Sequence, residues 1–291
     1  MGARPPRRAD GDAVELLTNP ALARLHPTGE HPERQDRLLG LVGETVERSA
    51  TDEQLARVHT AAHLASLRAI DRPVLLDADT IASATSWEGA ALAAGIAIEA
   101  VDRDAFALVR PPGHHALADR AMGFCLLNNV AVAARYAQAE LGLARVAIVD
   151  YDVHHGNGTD AIFRDDDSVL FVSLHQWPFY PGTGGPGTSD ETTINVPLPA
   201  GSGDAEYRAA FESTVEPAVR SFAPDLVLVS AGFDAHSEDP LAGMDVSEDG
   251  FRELSQVCAS FAPRVAAVLE GGYNLATLPR LVDAAHRGFE A

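Results

Sequence analysis

Three residues with metal-binding side chains directly follow one hydrophobic segment of the chain. Residues 146–149 (VAIV) are predicted to form a buried strand, and Asp150, Asp152 and His154 come after it. Because side chains alternate in direction along extended backbone, residues two apart point the same way. Two carboxylates and an imidazole on one face are costly to bury unless a cation or hydrogen-bond donors satisfy them. A divalent metal ion fits this set best, and the alternative is a capping cluster at a strand-to-helix turn.

Four further hydrophobic segments also end in residue types that serve catalysis or close backbone approach. Residues 106–109 precede RPPGHH (110–115), residues 169–172 precede SLH (173–175), residues 226–231 precede GFD (232–234), and residues 265–269 precede EGGY (270–273). In open α/β sheets, binding sites gather beyond the carboxyl ends of the strands. We therefore expect these five strand ends to build one site.

The alternation of strand and helix patterns predicts the fold class. Helical periodicity covers residues 32–47, 88–102, 128–140, 205–220, 247–261 and 275–287. This order predicts a single-domain α/β fold whose mostly parallel, multi-stranded sheet carries helices on both faces. The expected domain is residues 12–291, preceded by a disordered tail of residues 1–11 that is rich in Arg and Pro.

Composition narrows the class of partner and the compartment. The formal net charge is −20 and all 22 basic residues are Arg, which argues against a nucleic-acid partner and is compatible with a cationic substrate. No segment is long and apolar enough to predict a membrane span, and no secretory signal is recognisable. Two cysteines cannot supply a disulfide framework for a domain of this size, so we expect a reducing, cytoplasmic location.

Taken together in order and spacing, these motifs resemble those of the histone deacetylase family, which includes acetylpolyamine amidohydrolases and bacterial deacetylase-like proteins. The matching segments are HPER (31–34), RPPGHH (110–115), GFC (123–125), DYDVHHGNG (150–158), GFD (232–234) with DPL (239–241), and LEGGY (269–273). The resemblance covers nearly the whole domain and implies an arginase/deacetylase-like fold.

The same resemblance implies one catalytic metal centre. Asp152, His154 and Asp234 match the family's metal ligands, which leave an open coordination position for substrate. Zn²⁺ is the metal that the family implies, while the oxygen-rich ligand set also suits Fe²⁺ or Mn²⁺. Arginases share the fold and bind two metals, but Gly156 stands where their bridging carboxylate is found, so one metal is expected here.

The resemblance also implies the catalytic residues. His114 and His115 match the family's tandem histidines, which act on the attacking water and the leaving amine; they are paired with Asp150 and Asn157 respectively. Because class I members carry Asp at the position of Asn157, the chain resembles class II members. Tyr273 matches the tyrosine that donates a hydrogen bond to the developing oxyanion, and its presence implies a working hydrolase.

Substrate contacts are implied at five positions. Phe124 and Tyr180 match the aromatic walls of the family's substrate tunnel, which suits a methylene stem ending in an amide. Gly123, which precedes Phe124, and Gly272, which precedes Tyr273, are the two glycine positions implied to contact substrate. Leu241 occupies a position where some polyamine-specific members have Glu, which favours acyl-lysine as substrate.

Structural monovalent cations, K⁺ in particular, are a further expectation from the resemblance. One set is Asp150, Asp152, His154, Ser173 and Leu174, and a second is Phe163, Asp166 and Val169. Two residues depart from the pattern of relatives: His236 lies where arginases have Asp, and Glu238 lies where many relatives have Gly. Neither receives a role from the sequence.

The leading hypothesis is therefore a metal-dependent amidohydrolase, a deacetylase that hydrolyses an N-acyl amide such as acetyl-lysine by metal-activated water. The alternatives are a deacylase of acetylpolyamines or other small acylated amines, and a non-catalytic metal- or acyl-binding protein. The expected partner is an acylated lysine peptide or small acylated amine. Both a monomer and a homodimer remain open.

Overall fold

A sheet of eight parallel strands dominates the computed structural model, which describes residues 13–291. In chain order, the strands β1–β10 are Leu16–Thr18, Glu44–Thr45, Val74–Leu75, Ile81–Ala82, Phe106–Ala107, Val146–Asp150, Val169–Gln176, Thr193–Leu198, Leu226–Ala231 and Val265–Leu269. The spatial order is β2-β1-β5-β10-β9-β6-β7-β8, while β3 and β4 form a separate antiparallel hairpin. The predicted disordered tail lies outside the described residues.

Strand order places the predicted site near the middle of the sheet. The last residue of β6, Asp150, pairs with Ser173 of β7 on one side and with Ser230 of β9 on the other. Strand β10 pairs with β9 and β5, so the five strands that end in polar motifs are contiguous. Because all of them run parallel, their carboxyl ends meet at one edge of the sheet.

Helices cover both faces of the sheet. The α-helices α1–α10 are Leu22–Leu25, Asp52–Ala56, Ala61–Arg68, Ser86–Arg103, Asn129–Leu141, Asn157–Phe163, Asp204–Ala210, Glu216–Phe222, Glu248–Ala259 and Leu278–Phe289. Alternate strand residues belong to two separate cores: Ile148 packs with side chains of α1–α6, and Val149 packs with those of α7–α10. Within residues 13–291, no helix combines the length and the apolarity needed to cross a bilayer.

The sequence-based helix over residues 32–47 is wrong. Only a 3₁₀ turn forms there, at Gln35–Leu38, and β2 follows. Gly40 adopts a φ of +84°, and a Cβ on Gly43 would lie 2.5 Å from the main-chain oxygen of Leu16. The segment therefore packs closely against β1 and supplies the edge strand β2, so a helix has no room there. Strands β1–β4 and β8 were not predicted, and a π-helical turn at Phe211–Val215 separates α7 from α8.

A buried histidine connects the loop after β5 to the start of α5. His59 is 2% exposed; its Nδ1 lies 3.1 Å from the Leu117 carbonyl, and its Nε2 accepts a hydrogen bond from Asn128 N at 2.9 Å. Asn128 in turn caps α5 by accepting from Ala131 N. Because one ring nitrogen accepts and the other donates, the imidazole is neutral. Burial lowers the pKa of His59 to about 4.

We expect this histidine to make the free energy of unfolding depend on pH. A folded-state pKa below the unfolded value means that its contribution is complete above about pH 6.5 and is lost as the pH falls towards 4. Urea denaturation at pH 7 and pH 5 should show that His59→Gln removes on the order of 2 kcal/mol of that pH dependence. His286→Gln, at a partly exposed site, is the control, and an unchanged pH dependence in His59→Gln would contradict the assignment.

Candidate active site

Asp152, His154 and Asp234 converge at the carboxyl edge of the sheet. The metal-binding atoms of these three residues all lie within 4.8 Å of one another. Nδ1 of His154 is 3.1 Å from Asp152 Oδ1 and 3.2 Å from Asp234 Oδ2. Both aspartates are fully buried, and His154 is 8% exposed.

The ligand set fits a divalent cation on the observations of this structure. Main-chain N–H groups of Val153, His154 and Gly271 donate to Asp234 Oδ1, Asp152 Oδ1 and Asp152 Oδ2, whereas Asp234 Oδ2 is buried without a hydrogen-bond partner. A Cβ on Gly271 would lie 2.0 Å from Asp234 Oδ2 and 2.5 Å from Asp152 Oδ2, so only glycine leaves the two carboxylates free to face one point. A divalent cation balances both charges, which a protonated His154 alone does not.

Gly156 is likewise fixed by its surroundings. A Cβ there would lie 2.2 Å from Asp150 Oδ2, so the position cannot carry the bridging carboxylate of a two-metal centre without displacing Asp150. This packing supports the expectation of a single metal.

The tandem histidines lie beside this cluster with the predicted partners. Nδ1 of His114 is 3.0 Å from Asp150 Oδ2, and Nδ1 of His115 is 2.7 Å from Asn157 Oδ1. Asn157 directs its Nδ2 towards the Met122 sulfur, which leaves Oδ1 to accept a hydrogen bond from Nδ1 of His115. Each ring therefore has its Nδ1 engaged and its Nε2 available for proton transfer.

The two histidines differ in charge. Burial opposes ionisation of His114, but the carboxylates of Asp152 and Asp150 outweigh it and hold the pKa of His114 well above its usual value. Burial, together with the neighbouring His114 and His154, holds the pKa of His115 well below its usual value. The rings are 4.1 Å apart between centroids, so a charge on one disfavours a charge on the other.

Tyr273 is held between an aromatic and a cationic side chain. Its ring packs edge-to-face against Phe124, at 5.7 Å between centroids, and lies under the Arg37 guanidinium, at 4.9 Å. Arg37 also donates to the main-chain oxygens of Gly272, at 2.8 Å, and Glu270, at 2.5 Å. The turn that carries Tyr273 is thereby tied to the N-terminal part of the chain.

Glu33 of the HPER segment has a structural role, because it pairs with Arg37. Glu33 is fully buried between Arg37 and Arg110, and Arg110 holds it through two hydrogen bonds of 2.8 Å. Burial disfavours the charged carboxylate, yet Arg110 and its other cationic neighbours bring the pKa of Glu33 down to about 2. The charged network therefore stays ionised at neutral pH.

A cavity of about 230 Å³ leads from the surface to His115, His154 and Tyr273. Its walls include four of the five residues predicted to contact substrate: Gly123, Phe124, Tyr180 and Leu241. Among the described residues that line it, Gly272 is not present; this glycine turns at a φ of +117° behind Tyr273.

Sequence reasoning missed two wall residues. Phe179 stacks on the His154 ring, at 5.3 Å between centroids and 17° between planes, and Asp79 lies in the hairpin between β3 and β4. The adjacent aromatic pair at 179–180 was a usable signal for Phe179. Asp79 carried none, because only folding brings its hairpin to the cavity.

Phe124 is held in an uncommon backbone conformation. Gly123 and Phe124 both have positive φ, +58° and +70°, and a Cβ on Gly123 would collide with the His115 ring. Two side chains of the β3–β4 hairpin fix this turn, since Asp77 accepts from Gly123 N and Thr80 accepts from Phe124 N. The strained turn of the GFC segment is thus stabilised by side chains that lie outside that segment.

Some of the remaining predicted residues lie beside the site, and others lie at the opposite end of the sheet, where β7 begins. Asp150, Ser173 and Leu174 are adjacent in the sheet, and Phe163, Asp166 and Val169 form one turn between α6 and β7; their proposed role in binding K⁺ stays a prediction. His236 accepts from Glu238 N at Nδ1, and Glu238 pairs with Arg280 at 2.8 Å. Both are part of the segment that leads to Leu241.

Comparison with known proteins places this geometry in a family. A family model described as "Histone deacetylase domain" matches residues 22–289. The chain belongs to the histone deacetylase domain family. The crystal structure described as the HDA15 HD domain superposes with a TM-score of 0.91 and 36% identity, covering 96% of this chain and 88% of that one.

Curated relatives include proteins of plants, bacteria and archaea. Histone deacetylase 10, chloroplastic, of Oryza sativa is 43% identical over 270 residues, 82% of this chain and 61% of its own length. The histone deacetylase-like amidohydrolase of Pseudomonas aeruginosa is 43% identical over 250 residues, 79% of this chain and 66% of its own. The match to a probable deacetylase of Archaeoglobus fulgidus, 37% identical, covers 84% of this chain and 77% of that one. The chain thus spans about three fifths of the length of the Oryza sativa protein.

Gly271→Ala should abolish tight binding of a divalent cation, because the added methyl group occupies the space between the two ligand carboxylates. Equilibrium dialysis against Zn²⁺ is expected to show at least about a hundredfold weaker binding than in the wild type. Gly243→Ala is the matched control, since its Cβ would meet no atom closer than 3.7 Å. Wild-type affinity in Gly271→Ala would show that the cation binds elsewhere.

Proposed function

We propose that the protein is a metal-dependent deacetylase that removes an acyl group from a lysine side chain or a related amine. One observation carries this proposal: a single cavity has a metal-ligand histidine, a proton-transferring histidine and a buried phenol on its walls, at His154, His115 and Tyr273. Membership of the family supports the same reaction class.

The cation would be held by Asp152, His154 and Asp234, and we propose Zn²⁺ as the native ion. When bound, it supplies a Lewis acid that polarises the acyl carbonyl and makes a water molecule more acidic. Of these three residues, His154 lines the cavity wall, so a cation held by them would be reached from the cavity through the His154 side.

Proton transfer is assigned to the tandem histidines. Asn157 fixes the proton of His115 on Nδ1, so its Nε2 is an unprotonated base that faces the cavity. Asp150 orients His114 and favours its charged form. The pair thus offers one base for the attacking water and one acid for the leaving amine, with both hydrogen-bond partners held in the fold.

Tyr273 is assigned to the oxyanion. It is 9% exposed, and burial raises the pKa of its phenol well above the ordinary value, so the hydroxyl keeps its proton at neutral pH. A neutral phenol can donate a hydrogen bond to the negative charge that develops on the carbonyl oxygen.

The walls favour a linear acylated amine. Phe124, Phe179 and Tyr180 offer apolar faces to a methylene stem, and Leu241 adds an apolar side chain at the position that favours acyl-lysine. We propose a reducing compartment, the cytoplasm, because Cys125 and Cys258 are both free and buried.

Hydrolysis of an acyl-substrate panel by Zn²⁺-reconstituted protein tests the reaction directly, with release of the free acid as readout. The panel contains an acetyl-lysine peptide and acetylputrescine, and direct competition between these two separates lysine from polyamine deacylation. Stoichiometric cation binding without release of any acid would contradict the proposal and favour a binding protein.

Tyr273→Phe should retain metal affinity and lose most of its turnover. Loss of one oxyanion donor typically costs about 3 kcal/mol, which corresponds to roughly a hundredfold lower kcat. The ring and its contacts with Phe124 and Arg37 remain, so the fold is preserved. Steady-state kinetics on the most active panel substrate, combined with Zn²⁺ titration, gives both quantities. Full activity of this variant would remove the tyrosine from the mechanism.

A further inference from the structure

The buried carboxylate of Asp239 lies between two residues of the cavity wall, Leu241 and Tyr273. Asp239 is 7% exposed, its Oδ2 accepts a hydrogen bond from Tyr273 N at 2.7 Å, and its Oδ1 accepts from Leu241 N at 3.0 Å. Both oxygens are thus engaged by main-chain N–H groups. One side chain therefore connects two residues that line the same cavity from different parts of the sequence.

Neighbouring contacts strengthen the same connection. Asn274, next to Tyr273, donates from Nδ2 to the Glu238 main-chain oxygen at 2.8 Å. Glu238 pairs with Arg280 of α10. The segment that leads to Leu241 and the segment that carries Tyr273 are therefore fastened to one another at successive residues.

The turn before Tyr273 explains why this connection is needed. Gly271 must be glycine because of the ligand carboxylates, and Gly272 adopts a φ of +117° that favours glycine. Two consecutive glycines leave the backbone with little conformational restriction of its own. Arg37 holds this turn through the Gly272 carbonyl on the preceding side, and Asp239 holds it through Tyr273 N on the following side.

We propose that Asp239 is a positioning residue that fixes the Tyr273 phenol and the Leu241 wall relative to each other, an inference that rests on the proposed function. The carboxylate is suited to this task because it accepts two N–H donors at once. Asparagine has the same shape but a single acceptor oxygen, so one of the two N–H groups would face an amide donor.

Kinetics of Asp239→Asn test the proposal on the most active panel substrate. A displaced phenol affects the transition state more than substrate binding, so kcat should fall about tenfold or more while KM changes less than about threefold. Asp225→Asn is the control for loss of the charge alone, because Asp225 accepts from Ala144 N and Arg145 N through one oxygen, Oδ2, at the opposite end of the sheet, and asparagine keeps one acceptor oxygen. The control is expected to keep the wild-type kcat.

A double variant separates positioning from general damage. If Asp239 acts through the phenol, Asp239→Asn should lower kcat by less than about twofold in the Tyr273→Phe background, because the group that it positions is already absent. A further tenfold loss in that background would overturn the proposal. Asp239→Ser, which is smaller and keeps one acceptor oxygen, replaces Asp239→Asn throughout if the latter does not fold.

Amide hydrogen exchange supplies a readout that does not depend on activity or on the cation. Asp239→Asn should raise the exchange rates of the Tyr273 and Leu241 amides by about tenfold or more, while Asp225→Asn should leave exchange at residues 144 and 145 nearly unchanged, because one amide oxygen can accept from both. The inference would be overturned if Asp239→Asn left exchange unchanged at both Tyr273 and Leu241. It would also be overturned if the wild-type protein were active and Asp239→Asn had the same kcat. An inactive wild type with the expected exchange pattern would instead contradict the proposed function and leave the structural connection standing.

Discussion

The buried carboxylates of Asp152 and Asp234 face one point at the carboxyl edge of the sheet. The surrounding main chain stabilises their negative charges through hydrogen bonds. Asp152 and Asp234 come from the ends of different strands, and each has one oxygen satisfied by a main-chain N–H of residues 153–154. Such a pair is unfavourable in a buried site unless a cation balances it. The glycine at 271 follows from the same constraint, because any side chain there would occupy the space between the carboxylates.

Acidic side chains that accept main-chain N–H groups recur around this centre. Glu270 accepts from Gly113 N and His114 N, and Asp239 accepts from Tyr273 N. His114, His115 and Tyr273 lie on connections beyond the strands, where regular hydrogen bonding between strands has ended. These carboxylates replace it, so the loops are held in one geometry by charge-assisted hydrogen bonds.

The strands and helices that carry the strongest hydrophobic patterns could be predicted from the sequence, and the edge of the sheet could not. Strands β6, β9 and β10 were predicted within one residue because they are buried on both faces and read as continuous apolar runs. The apolar spacing of residues 32–47 suggested a helix, but its residues pack along β1 instead. The periodicity of apolar residues indicates which residues are buried. At an irregular edge of the sheet it does not indicate which element they pack against.

For the site, the sequence by itself determined the chemistry: which residues can bind a cation, move a proton or donate to an oxyanion, because motif order and residue type carry that information. Tertiary structure alone decided what surrounds them. Asp79 and Arg37 reach the site from a hairpin and an N-terminal turn whose sequences give no sign of this role, and Asp239, although part of the DPL motif, is connected to Tyr273 only by the fold. Their contribution depends on distances between segments far apart in the chain, and those distances are set only when the two cores pack against the sheet.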